Sequence, residues 1–598
     1  MCSFPPKLFI VEQRPGKAGG SGVRQALPRD DESDLPLGGI NVGSRVHEYG
    51  GGSVTAYDET LFVSNLDDSH VYAHPIGSAD ALRRLTPEPP IGEEHRYADL
   101  QASACGLLAV REIHRGPSTE AANEIVRIAV DGRISVEVLA AGHAFYAFPR
   151  ISPDGSLIAF TAWDHPNMPW DSTHLYRGRL TAEGSISELE TLAGGSSESV
   201  LQPTWAPDGN LYFVSDRTGW WNLYALTADG IRATFSVDAD VGLPQWRLGM
   251  SRFAFFSNGL VLCAVCKDAE DSLVIVDPRS GETRTLDLAL SQVHAVVSLG
   301  GPCAVMGASP ESPEVLLLVD DQGTVERVAG RRVANRRRAS VGRHIAFPSG
   351  DTESFGFFYP ASSSAMPRHR RGASPPLIVN CHGGPTLHAT RTFNPVVQFW
   401  TSRGFAVLDI NYRGSSGYGR AYRRAAFRRS GLDDASDCIS GALYLASLGV
   451  VDRDRMAIRG ASSGGFIVLC VLAQRHPFAA AANYFGIADL VSLADSGPKF
   501  ESCYFDSLIC HPAERKTLRE RSPLRHVDAI RTPLIVVHGA KDPVVDVSQS
   551  RNLVASLRER NVRCSYLEFE NERHGLTAPA LTKALVAEAE FYARTLGA

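Results

Sequence analysis

The stretch "RMAIRGASSGGFIVL", residues 455–469, joins one short apolar run to a longer one through two serines set among glycines. Within it, Gly460-Ala461-Ser462-Ser463-Gly464 has the Gly-x-Ser-x-Gly pattern. Between a strand and a helix, such glycines leave room for a strained turn and expose the central hydroxyl. Ser462, not Ser463, is then the candidate nucleophile. The five residues alone equally suit an ordinary glycine-serine loop, because short motifs recur by chance. Partners elsewhere in the chain must decide.

Around this stretch, "PPLIVNCHGG", "GFAVLDINYRG" and "TPLIVVHGAKD" are further apolar runs ending in glycine or polar turns, with helical spacing between them, as in "LDDASDCISGALYLASLG". Strands alternating with helices predict a doubly wound, mostly parallel sheet covered on both faces. Residues 361–376, "ASSSAMPRHRRGASPP", have the composition of a solvated loop. Before residue 335 the pattern differs. "ISPDGSLIAFTAWD" from Ile151, "WAPDGNLYFVSDR" from Trp205 and "FAFFSNGLVLCAV" from Phe253 each place an Asp-Gly or Asn-Gly turn before a strand, as in hairpins. Their glycines, Gly155, Gly209 and Gly259, are 54 and 50 residues apart, the repeat length of four-stranded propeller blades. Dividing about 330 residues by about 47 gives seven blades. The expected architecture is a β-propeller over 1–335 and an α/β catalytic domain over 336–598.

Composition narrows the class. The 598 residues are 44% hydrophobic and 21% charged, as in ordinary globular proteins, and predict more than one domain. A net charge of −6 argues against a general nucleic-acid binder. No run of ~18 apolar residues stands out, and the first twenty residues lack a basic start with an apolar core, so a cytoplasmic protein without a membrane partner is expected. Eleven scattered cysteines suit free thiols better than a disulfide framework. Cys263 and Cys266 have CxxC spacing, but no second pair accompanies them, and a buried strand is the favoured reading. No metal and no cofactor are expected.

Two candidates complete the chemistry of Ser462. In an α/β-hydrolase sheet the order is Ser, Asp or Glu, His, each in a loop at the carboxyl end of a strand. Asp542 follows the glycine turn of "PLIVVHGAKD", and His574 follows "CSYLEFE" in "FENERHGL", 80 and 32 residues further along in turn. Asp542 as a turn former and His574 as a surface residue are the bland alternatives, but three matches in order and context argue for a set. His574 would take the serine proton and later protonate the leaving group, while Asp542 holds the imidazole. An oxyanion needs two donors. The N–H of Ser463 is one, and "HGGP", His382 to Pro385, offers the other, with Gly384 favoured and Gly383 and His382 as its neighbours.

These residues resemble the prolyl oligopeptidase family of serine peptidases, in the branch of acylaminoacyl peptidases and related dipeptidyl aminopeptidases. In the second half the resemblance rests on "HGGP", "NYRGSSGYG" (411–419), "GASSGG", "HGAKDPVV" and "ERHG"; in the first, on "VEQRPGKAGG", "SRVHEYGGG", "DHPNMPW" and "SDRTGWWNLY". It implies a propeller that caps the catalytic domain, with Ser462, Asp542 and His574 as triad and Gly384 with Ser463 as oxyanion site. Some relatives carry a tyrosine where His382 stands; this chain departs from them, which favours a backbone donor. Phe466, Tyr484, Phe500 and Tyr504 lie in segments resembling those that line the pocket before the scissile bond, although each suits core packing equally. Glu112, in "AVREIH", would bind a substrate amine in the manner of dipeptidyl peptidases. Their twin-glutamate motif is absent, and a solvated strand-end acid is the favoured reading.

The expected activity is hydrolysis of amide bonds in short peptides or N-acylated amino acids through an acyl-enzyme. An esterase or acyltransferase acting on a small biosynthetic substrate at the same site is the alternative, and a propeller-based binding protein with an inactive second half is the third reading. A short peptide or small amide is the expected partner; a homo-oligomer is compatible with the sequence.

Overall fold

The structure is a computed structural model that describes residues 7–13, 20–27, 35–78, 82–116, 119–181, 185–331, 339–362, 374–511 and 513–597. The chain divides into two compact units: 1–266 with 271–307 and 314–330, and 267–270 with 308–313 and 331–598. The boundary expected at 335/336 lies outside the described residues, as does most of the basic loop at 361–376.

In the first unit, four-stranded sheets follow one another over 54–84, 94–141, 145–194, 200–235, 253–286 and 292–331, with sequential strands as neighbours. This is a β-propeller. The three glycines spaced along the sequence each turn, at φ 76°, 85° and 87°, between the first and second strands of consecutive sheets. Register breaks in the first strands of three sheets put Asp99, Phe148 and Gln202 at φ 50°, 54° and 49°. Such bulges re-aim side chains, and here they tie sheet to sheet: Asp99 accepts the Phe148 N–H at 2.6 Å, and Gln202 that of Arg252 at 2.6 Å.

Six four-stranded sheets stand among the described residues, against the seven expected from length. The first begins only at Val54; before it, Leu8–Gln13 and Ser21–Leu27 form a two-stranded antiparallel sheet. Leu8, Ala26 and Leu27 of that pair pack with Ala304 and Leu316 of the sixth sheet, and Val23 packs with Leu61 and Val63 of the first. Cys263 and Cys266 lie buried in the strand Val261–Lys267, as expected.

The second unit is an eight-stranded sheet of β1 (Arg343–Ser349), β2 (Thr352–Tyr359), β3 (Leu377–Cys381), β4 (Ala406–Asn411), β5 (Met456–Ala461), β6 (Ala480–Tyr484), β7 (Leu534–Gly539) and β8 (Cys564–Phe569). Their spatial order is β1-β2-β4-β3-β5-β6-β7-β8, antiparallel at the β1 edge and parallel from β4 onward. Every residue of β4 and β7 is buried, as a sheet covered on both faces requires. Helix α1 (Asp433–Ser447) packs on α2 (Ser463–Leu472). A separate cluster joins Trp400 and Phe405 to Phe591 and Tyr592 of α4 (Ala578–Leu596), α3 being Ser548–Glu559. Among the described residues, no helix is long and apolar enough to cross a membrane.

Candidate active site

The glycines around Ser462 are demanded by how closely β5, α2 and the loop after β3 approach one another. A Cβ on Gly464 would lie 2.3 Å from the carbonyl oxygen of Cys381 and 2.6 Å from that of His382, so only glycine lets α2 start against the end of β3. Between strand and helix, Ser462 takes φ 55° and ψ −122°. An L-residue held there stores roughly 1–3 kcal/mol of strain, resisted by the bond from Ser462 N to Tyr484 O at 3.0 Å. The hydroxyl is thereby presented at the carboxyl end of the sheet.

The loops after β7 and β8 bring the other two groups to it. They are joined by hydrogen bonds from Ala540 N to Phe569 O and from Lys541 N to Glu572 O, both 2.9 Å. Gly539 is the contact point, since a Cβ there would stand 2.6 Å from Glu572 O. His574 Nε2 lies 3.0 Å from Ser462 Oγ, and its Nδ1 lies 2.7 Å from Asp542 Oδ2. The order and local context read from the sequence thus correspond to one hydrogen-bonded chain.

Asp542 is shaped for permanent ionisation. Its Oδ1 accepts the N–H groups of Val544 and Val545, each at 2.9 Å. Burial alone would raise its pKa, but hydrogen bonds from His538 and His574 outweigh that and hold the carboxyl well below the usual range.

The loop from His382 to Ala389 lies beside the nucleophile. A Cβ on Gly383 would be 3.2 Å from Ala461 O and 3.6 Å from the Ser462 Cβ. Gly384 follows at φ 44°. Ser463 opens α2, where the first N–H groups of a helix have no partner within it. The start of α2 and the loop at Gly383 thus both stand next to Ser462.

The segment "NYRGSSGYG" supports that loop along its length. The Tyr412 hydroxyl donates to His382 O at 2.8 Å, and the Tyr412 ring stacks on the imidazole at 4.3 Å. Ser415 Oγ is 2.8 Å from His382 Nε2, Ser416 Oγ donates to Thr386 O, and Asn411 bonds both the N–H and carbonyl of Ala389. His382, the expected neighbour of the oxyanion donor, has its ring nitrogens within hydrogen-bond distance of Gly383 O, Tyr412 Oη and Ser415 Oγ. Burial pushes its pKa down to about 3, so the ring is neutral at physiological pH.

The expected pocket aromatics are all buried. Tyr504 donates to Thr386 Oγ1 at 3.2 Å, which places it against the loop after "HGGP". Phe466 sits inside α2, and Phe500 in the short turn Lys499–Glu501. Tyr484 belongs to the core cluster of β6: its hydroxyl donates to Glu588 Oε2 at 2.6 Å, and Arg459 lies over its ring. Glu112 departs from the solvated reading. It is 3% exposed, accepts the backbone N–H of His47 at 3.1 Å, and lies 2.8 Å from His114 Nε2. Burial would raise its pKa, yet His114 and His47 overcome this and hold it at about 2. His114 stands two residues on in the same strand, but His47 comes from a loop 65 residues away, so a local reading of "AVREIH" misses the burial that His47 brings.

Two further groups touch the chain without having been expected. Phe485, at φ 38° after β6, sets its ring 4.9 Å from that of His574 in an edge-to-face contact. His538, inside β7, is fully buried with Nε2 3.3 Å from Asp542 Oδ2.

A buried acid holding an imidazole against a strained serine, at the strand ends of a mostly parallel sheet and on a chain that also builds a propeller, defines a serine hydrolase of the α/β type. Residues 391–598 match the prolyl oligopeptidase family. Over its whole length the chain superposes on a Mycobacterium tuberculosis puromycin-hydrolyzing peptidase, with 33% identity, 94% of that chain covered and a TM-score of 0.93. A puromycin hydrolase structure matches likewise, with 30% identity, 95% covered and a TM-score of 0.93. Dipeptidyl aminopeptidase BIII of Pseudoxanthomonas mexicana is 32% identical over 246 residues, 40% of this chain and 36% of that protein. The sequence match thus spans about a third of that relative's length. The chain belongs to the prolyl oligopeptidase family.

Proposed function

We propose that the protein cleaves amide bonds of short peptides or N-acylated amino acids through an acyl-enzyme on Ser462. The observation that carries this reading is the hydrogen-bonded chain from Ser462 through His574 to Asp542. Ser462 Oγ attacks the carbonyl carbon as His574 Nε2 takes its proton, and Asp542 balances the imidazolium. The N–H groups of Ser463 and Gly384 hold the oxyanion. Collapse of the tetrahedral intermediate breaks the C–N bond, and His574 delivers its proton to the departing amine. Water then repeats the sequence on the ester. The likeness to puromycin-hydrolysing proteins and to a dipeptidyl aminopeptidase supports small substrates with an amide next to an amino acid.

The enzyme works in the cytoplasm on such small molecules rather than on nucleic acid or membrane, a reading supported by its acidic net charge and free cysteines. The two-stranded sheet of Leu8–Gln13 and Ser21–Leu27 fills the seventh position of the propeller ring, as its packing against both the first and sixth sheets suggests. The test of the activity is a panel of acylated, free-amine and blocked peptide amides, with puromycin and matching esters, each assayed with and without an added amine acceptor. Amide hydrolysis unaffected by the acceptor supports the proposal. Turnover of esters alone, or product formed only with the amine, would replace it by an esterase or acyltransferase.

A further inference from the structure

The acid of the triad is held by two histidines, and only one of them faces the serine. His538 lies in β7, four residues before Asp542, with no exposed surface. Its Nδ1 is 2.7 Å from Ser550 Oγ on α3, and its Nε2 is 3.0 Å from Val545 O and 3.3 Å from Asp542 Oδ2. A carbonyl oxygen can only accept, so Nε2 carries a proton, and Nδ1 is left to pair with the Ser550 hydroxyl. That N–H bonds to the Val545 carbonyl, and Nε2 lies 3.3 Å from the same carboxylate oxygen that receives His574. Val545 closes the circuit, because its own N–H donates to Asp542 Oδ1.

We propose that His538 is a positioning residue for Asp542, fixing the carboxylate in the plane His574 needs and drawing negative charge away from the shared Oδ2. This deepens the triad reading and rests on it. The other charged groups around His538 are Asp546 on its own loop and Glu568 on β8, the latter paired with Arg551 of α3; the Phe485 ring packs 6.3 Å away. None of them touches the shared oxygen in the way His538 does. A carboxylate relieved of this donor attracts the imidazolium more strongly, which holds the proton on the base to higher pH. It also turns more freely, which spoils the alignment of His574 with Ser462.

The experiment compares His538→Leu, His538→Asn and His538→Gln in the full chain. Leucine removes the donor, asparagine is too short to reach Oδ2, and glutamine can still donate an N–H. The expected result is a kcat lower by ~10-fold or more for Leu and Asn with little change in KM, and an acid limb of kcat/KM moved upward by at least ~0.5 pH unit. Gln should restore most of both. Should Leu fail to fold, the Asn and Gln pair decides. Folded Leu or Asn variants with wild-type kcat and an unmoved acid limb would overturn the proposal, as would an equal loss in all three variants that tracks their thermal stability. Fluorophosphonate labelling of wild-type Ser462 is the parallel control: without it the triad reading fails, and with it a negative result removes His538 alone.

Discussion

Gly464→Ala tests the closest approach in the site. The added methyl carbon would start 2.3 Å from Cys381 O and 2.6 Å from His382 O. Real Cβ atoms keep about 3.2 Å or more from such oxygens, so the end of β3 and the start of α2 must part by roughly 1 Å, and both are backbone held by the sheet and the Tyr412 scaffold. Overpacking of this kind costs about 1–3 kcal/mol in stability. The movement also shifts Gly383 and Gly384 relative to Ser462, and a displacement of ~1 Å at a catalytic centre lowers rate by about 100-fold. The assay is kcat and kcat/KM on the best amide of the panel, alongside the thermal midpoint. Rate should fall far more than stability alone explains, with the protein still folded at the assay temperature. Wild-type turnover with an unchanged midpoint would refute the claim that the glycine sets the distance between the oxyanion loop and the nucleophile.

Ser463→Ala should keep turnover within several-fold of wild type, because the helix N–H it contributes does not depend on the side chain; a loss matching that of Ser462→Ala would reassign the nucleophile. Glu588→Ala leaves Arg459, whose Nε lies 3.0 Å from Glu588, buried without its charge partner, and should lower unfolding free energy by about 3–5 kcal/mol in denaturant titrations. An effect below ~1 kcal/mol would show that the network bears no weight. His382 stays neutral down to about pH 3 in the folded protein, whereas an unfolded chain takes up a proton near pH 6.5. The unfolded state therefore binds more protons between these values, and the stability due to His382 is present above pH 6.5 and lost as pH falls. His382→Gln should flatten the acid decline in the thermal midpoint between pH 6.5 and 4, and an identical slope in the variant would argue against it.

Much of the second unit could be read in one dimension because parallel strands buried on both faces are apolar throughout and end in glycines. The same glycines mark Ser462, Asp542 and the His382 loop. Blade turns were equally plain at Gly155, Gly209 and Gly259, since a hairpin needs its positive φ at a fixed place. The blade number was not, because division by length cannot tell a four-stranded sheet from the two-stranded one that the described residues form before Val54. What escaped were groups whose meaning depends on contacts across the sheet. His538 stands in the very string that reveals Asp542, yet a histidine within an apolar strand reads as core until Ser550 and Val545 are placed around it. Glu588 and Tyr484 come together from positions 104 residues apart, and no local pattern announces their bond. "NYRGSSGYG" marked the family before its work was visible: it braces the loop that faces the nucleophile.

The central claim is that Ser462 is a nucleophile activated by His574. Its most direct test is labelling of the native protein with a fluorophosphonate, followed by peptide mass spectrometry of the adduct. The expected result is one phosphonyl group per chain on Ser462, formed quickly in wild type, at least ~1000-fold more slowly in His574→Ala and not at all in Ser462→Ala. An adduct on Ser463 or any other residue, equal labelling of the His574→Ala variant, or no adduct on folded wild-type protein would contradict it.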